Sequence, residues 1–169
     1  MTFAVRAARP EEYATVGALT AEAYRVDGLL DEHELPTDAA YEQKLLDAAR
    51  RAREAELWVA AENGRLLGCV TYCPPGSPWL ELSTSADEGE FRMLAVHPEA
   101  RGRGAGRALA ALCEERARGH GATAMVLSSL AEMTDAHRIY LRLGYTRSPD
   151  RDWDPMPGVH LIAFSKELP

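Results

Sequence analysis

The chain has 169 residues, 46% of them apolar and 27% charged, and its 19 basic against 26 acidic side chains give a formal net charge of −7. A chain of this length buries roughly two thirds of the surface it exposes when unfolded, so one domain over 1–169 needs neither metal nor disulfides to hold a core. The acidic balance argues against general nucleic-acid affinity, which rests on an excess of Lys and Arg facing phosphates.

Cys69, Cys73 and Cys113 cannot all pair and show neither CxxC nor zinc-framework spacing, which predicts a reducing, cytoplasmic setting. The first 13 residues carry Arg6, Arg9, Glu11 and Glu12 and lack the apolar core of a secretory signal. No uncharged apolar run approaches the roughly 18 residues of a membrane helix, so no membrane partner is expected.

Residues 3–7 alternate like a first strand, and Pro10 with Glu11 and Glu12 opens a helix whose Tyr13, Val16, Thr20 and Ala23 share a face. An acidic loop over 26–35 leads to a second helix, capped by Thr37 or Asp38, with Tyr41, Leu45, Ala49 and Ala52 at helical spacing. Residues 57–61 and 66–72 read as strands joined by a hairpin at Asn63-Gly64. Pro74, Pro75, Gly76 and Pro78 end it, and a loop of small and acidic residues leads to a central strand at 91–96. A helix over 104–119, a strand over 124–130, a helix over 134–143 ended by Gly144, and strands near Tyr145 and over 159–165 complete the chain, with a loop at 149–158. No repeat or linker interrupts this, so the fold class is α/β in the broad α+β sense: one domain with a mixed, mostly antiparallel sheet flanked by helices.

The most informative stretch is Leu94-Ala95-Val96-His97-Pro98-Glu99-Ala100-Arg101-Gly102-Arg103-Gly104-Ala105-Gly106-Arg107, a strand, a glycine-rich turn and a helix start. Backbone N–H groups at a helix N-terminus lack partners within the helix, and the helix dipole adds positive potential, so a phosphate or pyrophosphate fits there. The glycines let backbone approach ligand, and Arg101, Arg103 and Arg107 add charge. A dinucleotide fingerprint fails, because it would need glycine at Arg107 or at Leu109. A P-loop fails because Arg107 and Ala108 follow Gly106 in place of Lys and Ser or Thr.

What remains, R-x-x-G-x-G after a strand ending Leu-Ala-Val, resembles the acetyl-CoA pyrophosphate loop of the GNAT superfamily of N-acetyltransferases. The later Tyr140-Leu141-Arg142-Leu143-Gly144-Tyr145 resembles that family's Tyr-x-x-x-Gly-aromatic segment, and the element order agrees from Val5 to Lys166. The resemblance implies acetyl-CoA as cosubstrate, with the backbone of Leu94, Ala95 and Val96 pairing with the pantetheine arm. It implies that the loop Arg101, Gly102, Arg103, Gly104, Ala105, Gly106 and Arg107 holds the pyrophosphate.

In the catalytic roles it implies Tyr140 as the acid that protonates the departing thiolate and Glu90 as the base that takes the amine proton, directly or through water. A phenol with pKa near 10 is protonated at neutral pH, which suits the first role. Glu90 shares a strand face with Arg92, Leu94 and Val96 unless a bulge intervenes, as it does in the family. The family often has asparagine where Met133 stands, and Thr134 or Asp135 is a candidate substitute.

The activity implied is an acyltransferase that moves acetyl to a primary amine, on a small molecule or a peptide, by direct attack. The alternative is an acyl-CoA-binding regulatory or sensor module without catalysis. The family often dimerises through edge or terminal strands, so a homodimer is one option. No metal is expected, since the five histidines include no HExxH-type pair. His160 is a lesser candidate for the substrate cleft, and Trp153 for its rim.

Overall fold

The computed structural model describes residues 2–26 and 37–169, with the side chains of 26 and 37–39 also outside the description. The expected acidic loop and the cap at Thr37 or Asp38 fall outside the described residues. In chain order the elements are β1 (Ala4–Ala7), a 3-10 turn (Pro10–Glu12), α1 (Tyr13–Val26), α2 (Thr37–Leu46), α3 (Ala48–Glu54), β2 (Glu56–Glu62) and β3 (Arg65–Cys73). Then come β4 (Glu88–Val96), α4 (Ala105–Gly119), β5 (Ala124–Leu130), α5 (Thr134–Arg142), β6 (Thr146–Arg147), β7 (Trp153–Met156) and β8 (Val159–Glu167).

Turn chemistry explains several boundaries. Asn63 and Gly64 both take positive φ, 50° and 78°, the geometry that joins β2 to β3 in a two-residue hairpin. Gly144, at φ 93°, ends α5.

Two expectations are corrected. The single helix read across Tyr41 to Ala52 is two, because the Asp47 side chain accepts the Arg50 N–H at 3.1 Å and starts α3 afresh. The loop at 149–158 carries β7, antiparallel to β8, which the sequence hid because Pro155 sits in it. Proline is tolerated on an edge strand, where no neighbour needs its missing N–H.

The sheet order is β1-β2-β3-β4-β5-β8-β6, with β7 also on β8. All pairings are antiparallel except β4 with β5. That parallel pairing covers only Glu88↔Ala124, Gly89↔Met125 and Glu90↔Val126, so the two strands part beyond Glu90 and open a cleft in mid-sheet.

A bulge in β4 shifts its register against β3, with Thr71 opposite Arg92 and Cys69 opposite Ala95. Met93 takes φ 53° there, a conformation non-glycine residues rarely adopt. The bulge moves Leu94 into the cluster that holds Phe91, and Ala95 into the cluster that holds Cys69.

α4 and α5 cover one face through Leu109, Cys113, Ala117 and Tyr140, which pack with Phe91 and Leu94. α1 and α3 cover the other through Val16, Leu19, Ala23 and Ala48 against Leu57, Val59 and Cys69. Each fully buried Val or Leu side chain in these layers contributes roughly 1.5–3 kcal/mol.

Candidate active site

The site is built where β4 leaves its parallel partner and α4 begins. Gly104, at φ 88°, precedes α4 and, as a glycine, supplies no side-chain cap to the helix's first amides. Gly106 is small for a reason: a Cβ there would stand 3.1 Å from Ile139 Cδ1 of α5 and 3.2 Å from Val96 Cγ2 of β4.

A cavity of about 440 Å³ runs along this seam. Its walls include Leu94, Ala95 and Val96 of β4, and Arg101, Gly102, Gly104, Ala105, Gly106 and Arg107 of the loop and helix start. α5 supplies Asp135, Arg138, Ile139 and Arg142, and Met133 precedes it.

Of the sequence-derived binding residues, Arg103 is the one outside this wall, its guanidinium bound to Glu62 at 2.8 Å. Arg101 is near Asp135, at 4.0 Å. The walls suit an elongated ligand with an anionic end: helix-start amides and arginines at one end, and along the middle β4 backbone that is paired with β3 but has no strand on its β5 side.

Tyr140 does not line the cavity. Its ring is wedged among Phe91 (centroids 5.9 Å apart), Tyr145 (6.1 Å) and Phe164 (5.5 Å), and 5% of its surface remains exposed. Burial pushes its hydroxyl pKa up, so the phenol keeps its proton. Tyr24 of α1, which does line the cavity, lies within electrostatic reach of Tyr140.

Glu90, expected as the base that takes the amine proton directly or through water, does not line the cavity. It is fully buried, and its carboxylate accepts three backbone N–H groups at 2.9 Å, from Glu81 to Oε2 and from Leu82 and Ser83 to Oε1. Both oxygens are committed to holding the β3–β4 loop.

His160 is exposed and bound to Asp154 at 2.7 Å on the β7–β8 hairpin, while Trp153 packs on Leu82, Val126 and Ala163. The three cysteines are free and buried, and burial pushes their thiols up, which disfavours a thiolate acyl carrier. Among the described residues no group of three His, Cys, Asp or Glu side chains is placed to hold a metal ion, and no helix is long and apolar enough to cross a membrane.

Sequence reasoning missed Tyr24, Arg138 and Arg142. Tyr24 sits four residues after Thr20 on the apolar stripe already recognised, and Arg138 and Arg142 are one helical turn apart on α5.

The GNAT acetyltransferase family matches residues 19–145, so the chain belongs to that family. It is 36% identical over 113 residues to the mycothiol acetyltransferase of Cellulomonas flavigena, covering 62% of this chain and 32% of that protein. It is 47% identical over 90 residues to the aminoalkylphosphonate N-acetyltransferase of Salmonella typhimurium, covering 53% of this chain and 56% of that one. The chain thus spans about a third and just over half the length of these curated relatives.

Among solved structures, YncA of Salmonella typhimurium with its cofactor acetyl-CoA superposes with a TM-score of 0.68 at 20% identity, covering 100% of this chain and 95% of that one. The PaiA N-acetyltransferase of Thermoplasma acidophilum in complex with coenzyme A gives 0.72 at 15% identity, covering 99% and 100%. These likenesses establish the shared fold.

Proposed function

We propose that the protein is an acetyl-CoA-dependent N-acetyltransferase that moves acetyl to a primary amine of a small molecule or peptide by direct attack. One observation carries the reading: the cavity joins the uncapped start of α4 to the β4 segment that has parted from β5. The bound cosubstrate would supply an activated acetyl thioester. The amides at 104–107 would hold its pyrophosphate, and Leu94 to Val96 would offer backbone groups to its amide-bearing arm.

Tyr140, kept protonated by burial, is proposed to donate to the leaving thiolate from behind the cavity wall, beside Tyr24. Free, buried thiols fit a reducing cytoplasm and leave direct transfer as the simpler route. The names of the relatives support an amine acceptor.

Calorimetric titration with acetyl-CoA tests this. Gly104→Ala strains the left-handed turn and Gly104→Glu adds an anion at the pyrophosphate site, so the glutamate should lose far more affinity than the alanine. Folded wild-type protein that gives no binding heat would sink the proposal. Binding without thiol release across an amine panel would favour an acyl-CoA sensor.

A further inference from the structure

We propose that Glu81, on the loop between β3 and β4, is the carboxylate that takes the proton of the incoming amine, and that Glu90 is the positioning residue that holds it there. The inference rests on the acetyltransfer reading above and deepens it.

Glu90 is fully buried and both its oxygens already accept backbone amides, so no outside donor reaches it. One of those amides is Glu81's own, so the buried carboxylate fixes where the Glu81 backbone sits. The Glu81 side chain retains 16% exposure. Its Oε1 lies 2.5 Å from Arg92 Nε, and its Oε2 accepts no hydrogen bond among the described residues.

Arg92 is itself fixed, its guanidinium 5.4 Å from the Trp79 ring and donating to the Trp79 carbonyl at 3.2 Å. Glu81 is therefore a half-used carboxylate on a rigid mount, which a solvent-facing glutamate would not be.

Its location suits the role. Trp79, Tyr24, Met93 and the partly buried Tyr41, Leu80 and Met133 form one apolar cluster. Tyr24 and Met133 also line the cofactor cavity, so this cluster is shared between the cavity wall and the Glu81–Arg92 pair. Met93 at the β4 bulge faces the same cluster, next to the strand segment proposed to hold the thioester arm.

The charged and titratable groups around Glu81 are Arg92 and Glu90 from β4, Lys44 and Tyr41 from α2, and Cys73 from β3. Burial first, and then the Glu90 charge, lift its pKa, while Arg92 and Lys44 pull it down; the net shift is upward, toward the range where a carboxylate is a better proton acceptor at neutral pH.

The step balances. The ammonium gives one proton to Glu81 Oε2, and the freed lone pair forms the N–C bond at the thioester carbonyl as the C–S bond breaks. The leaving sulfur takes the Tyr140 proton, the second N–H proton of the attacking nitrogen refills the phenolate, and Glu81 returns its proton to solvent. The products are the amide, the free thiol and one proton.

The test pairs kinetics with a readout that needs no acceptor. With acetyl-CoA and either 2-aminoethylphosphonate or 2-phenylethylamine as probe, Glu81→Gln should lower kcat about 100-fold at neutral pH, recover as pH rises and the amine deprotonates itself, and leave acetyl-CoA affinity unchanged. Glu81→Asp should fall between the two. In parallel, carbon-13 NMR of carboxyl-labelled glutamates should show a resonance that disappears in Glu81→Gln, titrates above the ordinary glutamate value of about 4.3, and moves down in Glu90→Gln.

Wild-type turnover and pH profile in Glu81→Gln would overturn the proposal, and so would a Glu81 resonance titrating at or below the ordinary value, whatever amine is used. Failure of wild-type protein to bind acetyl-CoA would overturn the acetyltransfer reading and this inference with it, and the cosubstrate titration alone detects that case.

Discussion

Gly17 of α1 lies so close to the Leu46 carbonyl of α2 that a Cβ at position 17 would stand 2.2 Å from the oxygen and 2.9 Å from the carbonyl carbon. The contact fixes how near α2 approaches α1, and α1 carries Tyr24 into the cavity wall. Two effects of Gly17→Ala oppose each other. Alanine in a helix interior gains roughly 0.5–1 kcal/mol over glycine, but overpacking against backbone that cannot rotate away costs roughly 1–3 kcal/mol. The clash should win, giving a lower urea midpoint and weaker acetyl-CoA binding; a midpoint at or above wild type would show that α2 slides freely.

Arg51 is fully buried, yet among the described residues its donors meet neutral acceptors, Leu45 O at 2.8 Å and the Thr20 and Thr71 hydroxyls at 3.2 Å, and its Nε has no partner. Removing a buried charge is most damaging when it strands a counter-ion, and none pairs with Arg51 among the described residues. Arg51→Met should therefore destabilise by no more than about 1–3 kcal/mol, the cost of the acceptors left behind. Arg51→Ala adds a cavity and should cost about 2–5 kcal/mol. Chemical denaturation of both variants checks the order, and a methionine variant weaker than the alanine one would contradict it.

Much of this architecture is legible in the residues. Asn63-Gly64, Gly144 and the apolar runs at 57–61, 66–72 and 124–130 announce themselves because their conformation is decided locally, by φ preference and side-chain period. The glycine-rich loop at 101–107 is legible for the same reason, its glycines and arginines being contiguous.

What the sequence conceals depends on distant neighbours. The break at Asp47 is a cap in competition with a helix that the pattern alone supports, and β7 exists through its pairing with β8 despite Pro155. Glu90 shows the same limit at the site. A carboxylate at the start of a central strand looks available until the loop at 81–83 folds over it. Glu81, ten positions before the strand read at 91–96, has no local signature at all.

The Arg6–Glu12 pair predicts an acid dependence. Arg6 donates to both Glu12 oxygens at 2.7 and 2.9 Å, and the Arg9 N–H adds a third bond at 2.9 Å. The Arg6 hydrogen bonds are the main cause that lowers the Glu12 pKa to about 2. A depressed carboxylate stabilises the fold above its ordinary value and loses that contribution as pH falls through the folded one. The stability gap between wild type and Glu12→Gln should thus be full at pH 7, shrink below about pH 4.5 and close near pH 2, as followed by urea midpoints. A gap independent of pH would show that the charge is irrelevant.

Tyr140→Phe separates chemistry from binding. The substitution removes one oxygen and leaves the ring packed against Phe91, Tyr145 and Phe164, and the hydroxyl makes no hydrogen bond among the described residues that would be lost. Because Tyr140 is not part of the cavity wall, acetyl-CoA affinity should stay within twofold, whereas a lost general acid should lower kcat by about 100-fold or more. Burial raises the Tyr140 pKa, so the wild-type profile should show no alkaline fall from this phenol below about pH 10. Steady-state thiol release together with calorimetric affinity distinguishes the outcomes. Equal turnover in the phenylalanine variant would transfer the proton donation to another group, and Tyr24, the phenol that faces the cavity, would then be the residue to replace next.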